Sequence, residues 1–248
     1  QNRKDKPPEM DAFHSKPNND ISLEKMLRLS HLSDNVRVHI SKVYAVLAST
    51  LLCCAFGAYA QIVFRIGGQT QFLPFIASIG ILLWLGLESD KTNYVKRISL
   101  VSLFGFFQGL TIGPLIGLAI TVDSSIVVTA ALTTATVFTC FSLSALLSSG
   151  KRSYLYLGGM LSSGLSVMLL LSLLQFIFPS ISGAVFSINL YGGLILFLGY
   201  ILYDTQVMVI KAEAGDPDFV WHSLELFLDF IAVFVRILII LMRNSKKN

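Results

Sequence analysis

Residues 219–242 read FVWHSLELFLDFIAVFVRILIILM, an apolar run interrupted by His222, Glu225, Asp229 and Arg236. About 20 predominantly apolar residues suffice for a helix to cross roughly 30 Å of hydrocarbon. A carboxylate at that depth is costly, so an acid placed there is by default a functional-site candidate. At 100° per residue the four polar side chains fall within about 60° of one another, one stripe along an otherwise apolar helix. Such a helix is expected to be surrounded by others, its stripe turned toward a polar path or toward partners such as Asp204, which closes the preceding apolar run. Arg236 is read as the one arginine within the spans. It could form a static pair with Asp229, but it cannot neutralise Glu225, Asp229 and Asp204 together.

The rest of the chain repeats the apolar pattern. Hydrophobic residues make up 54% and charged residues only 14%, and the charges are bunched between long uncharged stretches. Seven stretches are expected to span: 43–64, 66–87, 98–122, 126–148, 154–178, 181–203 and 219–242. In lipid every backbone polar group must be paired internally, and alternating strands of about ten residues are absent, so an all-α integral membrane protein is expected. A single multi-pass domain then covers 43–242. Before it come a polar, proline-containing tail (1–20), expected to be disordered, and an amphipathic lead-in (21–42) suited to the membrane surface; a short basic tail (243–248) follows. The first 42 residues hold no early apolar core, so the first helix is expected to act as the insertion signal. Because Gln1 stands where an initiator methionine would, the natural N-terminus is expected to be longer or processed.

Lys and Arg number eight in the leading segment, then one, three, none, two, none and one in successive loops, and three in the tail. Every second loop is basic, which predicts a cytoplasmic N-terminus. Seven full crossings would put Arg243, Lys246 and Lys247 on the opposite side from the other basic clusters. Six crossings with a re-entrant or tilted seventh segment would keep them together. Both versions, six and seven, stand at this level.

Several function classes are disfavoured. Cys53, Cys54 and Cys140 fall inside spans and read as apolar thiols. No Cys/His cluster has zinc-ligand spacing, no glycosylation acceptor occurs, no glycine-rich phosphate loop is present, and no cofactor is expected. Gly67-Gly68, Gly158-Gly159 and Gly192-Gly193 read as close-packing positions, and Gly113-Pro114 as a kink or local unwinding. The net charge of +4 sits mostly on the tails and points to anionic lipid headgroups, not nucleic acid.

Two carboxylates brought together in a low-dielectric site cannot both ionise easily; they share a proton and titrate as a unit. When both are deprotonated they offer the hard oxygen ligands that calcium prefers. Asp204 and Asp229 are therefore read as a pH-sensing gate and as oxygen ligands along a calcium pathway, with His222, Glu225 and Arg236 as the supporting stripe. His222 alone is expected to be interfacial and to matter less.

Longer motifs add a resemblance. Tyr203-Asp204-Thr205-Gln206, Lys211-Ala212-Glu213, Gly215-Asp216, Trp221-His222 and Leu226-Phe227-Leu228-Asp229-Phe230 resemble the C-terminal signature of the Bax inhibitor family. The run from Phe138 to Leu146, then Arg152-Ser153-Tyr154-Leu155, Leu157-Gly158-Gly159 and Lys42-Val43-Tyr44-Ala45, resemble the family's eukaryotic members. The resemblance implies a multi-pass protein of the endoplasmic reticulum that suppresses cell death and permits pH-dependent calcium leak. It implies a last helix surrounded by the other six, and a paired-aspartate gate, on Asp204 and Asp229, that opens when a shared proton leaves. Calcium and protons are the implied ions; Bcl-2-class proteins or other reticulum membrane proteins are the implied partners. The chain departs from the family in two places: its second span has no arginine to latch an aspartate and ends at Glu88, and its lysine-rich tail is short.

Three other classes of protein compete with this reading. Intramembrane aspartyl proteases also pair a Tyr-Asp with a second aspartate, but this chain has Leu226-Phe227-Leu228-Asp229 where they carry Gly-x-Gly-Asp, so no enzyme is expected. A seven-helix receptor would carry an Asp/Glu-Arg-Tyr triplet and an Asn-Pro-x-x-Tyr, both absent. A non-conducting scaffold that inhibits apoptosis through partner binding remains as the alternative.

Overall fold

The computed structural model describes residues 33–66, 72–88, 90–147, 155–178, 182–216 and 218–245. The expected tail 1–20 and residues 21–32 of the lead-in lie outside the described residues, as do Lys151, Arg152, Lys246 and Lys247. Seven helices follow in order: α1 Asp34–Phe64, α2 Phe72–Leu87, α3 Tyr94–Val122, α4 Ser124–Leu147, α5 Leu155–Ile177, α6 Ser182–Glu213 and α7 Phe219–Ser245. Among the described residues there is no strand. Five helices, α1, α3, α4, α5 and α6, are long and apolar enough to cross a membrane. The protein is thus an all-α, multi-pass membrane protein. α7, at 27 residues, is long enough to cross, but any 18-residue window of it carries Asp229, Arg236 and at least one of Glu225 and Arg243. α2 has 16 residues, about 24 Å of helix, and its described part starts at Phe72, six residues beyond the expected Ile66.

Two expected boundaries move. α1 is continuous from Asp34, so residues 34–42 of the expected lead-in belong to the first helix. α6 does not end near Tyr203 but continues to Glu213, which takes Lys211 out of a loop and into the helix. The reason is local: Asp204 and Gln206 are polar, but nothing in Thr205–Glu213 breaks a helix, and the first helix terminator is Gly215.

Small residues set the tightest contact, between α1 and α3. Gly105, Gly109 and Gly113 recur every four residues on one face of α3 and lie against Thr50, Cys54 and Gln61 of α1. Gly57 returns the arrangement from α1, lying against the Phe106 backbone. In lipid no hydrophobic drive pulls helices together, so close backbone approach and van der Waals contact supply the association. α3 is continuous through Pro114, so Gly113-Pro114 is no site of unwinding; Gly113 is there for approach.

α7 packs against α1, α3, α4 and α6, whereas α2 joins mainly through α3 and α5 through α6. Its apolar side is seated in the core by Val220, Leu224, Phe227, Val233 and Leu238. Phe227 meets Phe104 of α3 edge-on at 5.9 Å, and Phe230 meets Phe138 of α4 at 5.4 Å. At its far end Arg243 reaches Ser187 (3.5 Å) and the Phe186 ring (5.7 Å), both in the first turns of α6. α7 therefore runs antiparallel along nearly the full length of α6.

A Cβ at position 109 would collide with the backbone of Cys54 and Ala58. Gly109→Leu is expected to destabilise the bundle by at least about 1–3 kcal/mol, the usual range for overpacking. Thermal unfolding in detergent measures it, with Gly159→Ala, whose Cβ would enter open space, as the unaffected control.

Candidate functional site

The site is built by one tight return. α6 ends in a Schellman motif: Gly215 takes φ +87°, its N–H donates to Ala212 O (3.1 Å), and the Asp216 N–H donates to Lys211 O (3.0 Å). Glycine fills the left-handed position because a Cβ there is strained. Two residues past Asp216, the carboxylate of Asp218 caps α7 by accepting from the Trp221 N–H (3.1 Å). Asp204 lies nine residues before the end of α6 and Asp229 ten residues after the start of α7. At 1.5 Å per residue both sit about 14–15 Å from the turn, at one level on antiparallel neighbours.

At that level the two carboxyl groups come within hydrogen-bonding range of each other. Asp229 is buried, 3% exposed; Asp204 is half-buried. One carboxyl oxygen of Asp229, Oδ2, has no hydrogen-bond partner in the protein. Tyr200, one turn before Asp204 on the same face of α6, is close enough to feel both acids. Glu225, one turn nearer the α6–α7 turn, adds a third carboxylate; it accepts from Trp221 Nε1 (2.8 Å) and faces His222 Nδ1 (3.2 Å). Lys211, two turns past Asp204, contributes positive charge toward it. Among the described residues no group of three or more His, Cys, Asp or Glu is arranged to hold a metal. A cation here would meet an open carboxylate pair, not a closed cage.

The rest of the expected stripe divides. Arg236, two turns beyond Asp229, pairs with neither aspartate. Its guanidinium lies over the Phe197 ring (4.5 Å) and against Gly193, and Nη1 donates to Ala232 O (2.9 Å). The small residue at 193 opens a slot on α6 that draws the side chain sideways. His222 is 1% exposed, because the first turns of α1 cover it: His39 packs edge-on against it at 5.6 Å.

Sequence reading also missed an arginine. Arg97, assigned to a loop, lies in the first turn of α3 and is 2% exposed. It makes a bidentate pair with Asp218, Nη1–Oδ1 2.7 Å and Nη2–Oδ2 3.0 Å, and Lys91 adds a contact to Oδ2 at 3.5 Å. Arg236 is therefore not the sole arginine in the helices, but Arg97 serves the cap of α7 and not the aspartate pair. The signal available in the sequence was Asp218 one residue before an apolar helix, an N-cap position; its partner 121 residues away was not legible.

The family model and the curated relatives that this chain matches agree. Residues 36–246 match the family model described as "Inhibitor of apoptosis-promoting Bax1". The chain is 44% identical over 241 residues to Bax inhibitor 1 of Arabidopsis thaliana, covering 95% of each chain. It is 42% identical over 228 residues to Bax inhibitor 1 of Homo sapiens, covering 91% of this chain and 94% of the other. With Bax inhibitor 1 of Oryza sativa subsp. japonica the identity is 38% over 242 residues, at 95% of each.

Burial by itself would raise the Asp218 carboxyl, but the hydrogen bonds from Arg97 and the Trp221 amide, with the charges of Arg97 and Lys91, outweigh it and hold Asp218 below the usual carboxylate range. A carboxylate depressed in the folded state contributes stability above its unfolded pKa and loses it as pH falls through the folded value. Thermal stability is therefore expected to drop below about pH 4, with part of that drop absent in Asp218→Asn. Arg97→Leu, which strands a buried charge, is expected to cost about 3–5 kcal/mol, and the double variant Arg97→Leu/Asp218→Asn much less. Melting curves across pH measure both.

Proposed function

Because the chain belongs to the Bax inhibitor family, we propose that it is a pH-sensitive calcium leak channel, or regulator of calcium homeostasis, of the endoplasmic reticulum membrane that suppresses cell death. The carrying observation is the facing pair of carboxyls, Asp229 buried and Asp204 half-buried, at one depth on antiparallel helices. While one proton is shared, the pair is a hydrogen bond joining α6 to α7. Loss of that proton leaves two negative charges in contact in a poorly hydrated site, with Glu225 adding a third, and the pair is driven apart. The separated carboxylates offer calcium its preferred oxygen ligands. The reaction is one of gating and ion passage, with no bond made or broken in a substrate, so no enzymatic activity is assigned.

Seven crossings with α7 enclosed by the others fit this role, since only an enclosed helix can carry the stripe at membrane depth. The packing of α7 against four helices and its antiparallel course along α6 support that topology. Lys42, Lys91, Lys96, Arg97 and Lys211 gather at the end of the bundle that holds the α6–α7 turn: Lys42 sits over Phe219 (5.6 Å), and Arg97 and Lys91 meet Asp218. By the positive-inside rule that end, and the N-terminus with it, is cytoplasmic. Interaction with Bcl-2-class or other reticulum membrane proteins completes the proposal on the family's side.

The test is calcium flux from liposomes holding only the purified protein, stepped from about pH 6 to about pH 8, beside Asp204→Asn/Asp229→Asn. A leak that rises as the shared proton is lost, and that loses its pH dependence in the variant, is expected. Protein that is folded and inserted but leaks at no pH would favour the non-conducting scaffold that acts through partners.

A further inference from the structure

We propose that Arg236 is an electrostatic barrier to cations beyond the aspartate pair: a fixed positive charge that limits how fast calcium reaches or leaves Asp204 and Asp229 along the α6–α7 interface. The inference rests on the reading of that pair as part of a calcium path, and it concerns what stands on the far side of it from the α6–α7 turn.

Charge is divided sharply along these two helices. The acids Asp204, Asp229 and Glu225 lie level with the pair or nearer the turn. In the other half, residues 182–203 of α6 and 230–245 of α7 contain no Asp or Glu, and their only charged side chains are Arg236 and Arg243. The surrounding helices bring no counter-charge. α4 and α5 carry no charged residue at all, α1 carries none after Lys42, and α3 none after Arg97. Arg243 is at the end of the bundle, whereas Arg236 stands two turns, about 10 Å, from Asp229 on the same stripe of α7. A cation that moves along the stripe between the pair and that end of the bundle therefore passes a positive charge that no acid offsets.

The surroundings of Arg236 hold its charge in place without cancelling it. Gly193 leaves room for the side chain, the guanidinium lies over the Phe197 ring at 4.5 Å, and Nη1 donates to Ala232 O at 2.9 Å. Nε is buried and has no hydrogen-bond partner. An aromatic face and a backbone carbonyl attract a cation but have no net charge of their own, so the positive field persists. Arginine stays protonated throughout the physiological range, so this field does not vary with pH, unlike that of the aspartates. Fixed arginines beside a conduction path act as barriers to cations. The repulsion scales with the charge of the ion, so whatever factor the barrier imposes on a monovalent cation is squared for calcium.

The test is calcium flux and potassium flux, measured in parallel at one pH, from liposomes holding the purified full-length protein, its Arg236→Met variant or its Arg236→Lys variant. Arg236→Met is expected to raise potassium flux about threefold and calcium flux about tenfold, the squared relation. Arg236→Lys, which keeps the charge, should stay near the original. The response to pH should persist in Arg236→Met, because the removed charge does not titrate. Arg236→Gln repeats the measurement if the apolar variant fails to insert. An equal rise for both ions, a calcium flux that does not rise, or an Arg236→Lys variant that behaves as Arg236→Met would overturn the barrier and leave Arg236 as a packing residue, with the aspartate gate intact. Protein that passes neither ion, both in its original form and as Arg236→Met, would overturn the calcium path and the barrier together.

Discussion

A carboxylate cannot face hydrocarbon, and α7 carries Glu225 and Asp229 on one side of a helix that is otherwise apolar. That constraint organises the bundle. α1, α3, α4 and α6 pack against α7, and the apolar residues of α7 supply the contacts. At the level of Asp229 the polar face meets the face of α6 that carries Asp204 and Tyr200. Because lipid offers no hydrophobic reason for helices to associate, the packing relies on fit: the glycines of α3 bring α1 close, and the aromatic pairs Phe104–Phe227 and Phe138–Phe230 key α7 into place.

Register along the helix axis is a separate problem, and a short segment solves it. The Schellman turn at Gly215 stops α6, and Asp218 starts α7 after only a few residues, so the distance from each aspartate to the turn is set by helix rise alone. The buried Arg97–Asp218 pair then ties that starting point to α3. A buried ion pair is weak evidence for net stability, since desolvation offsets most of its attraction. Its geometric consequence is firmer: two hydrogen bonds from a rigid guanidinium leave α7 little freedom to slide, and a slide of one residue would lift Asp229 by about 1.5 Å and turn it by 100°.

At adjacent positions of α6, Asp204 faces α7 and Thr205 faces Tyr44 of α1. Arg236 is held apart from both aspartates, seated on Phe197 and Gly193, which leaves Asp229 Oδ2 without a donor and the pair without a permanent cation.

The all-helical membrane fold, the stripe on α7 and the pairing of Asp204 with Asp229 as candidates were legible in the amino-acid sequence, because hydropathy and a 100° period are local properties that each segment carries alone. Helix ends were legible only where a terminator is present: Gly215 marks the end of α6, but the eye stops at Asp204, where composition changes and geometry does not. What the tertiary structure decided are the partners of long side chains. Arg236 looked like the counter-ion of Asp229 because both lie on one stripe, yet the slot at Gly193 takes it elsewhere. Arg97 looked like a loop residue, yet it caps the core by reaching Asp218, 121 positions away. His222 gave no sign in the sequence that His39 of α1 would cover it. Face and period follow from covalent geometry within one helix, whereas the partner of a charge depends on which neighbour leaves room for it, and that exists only once the helices have packed.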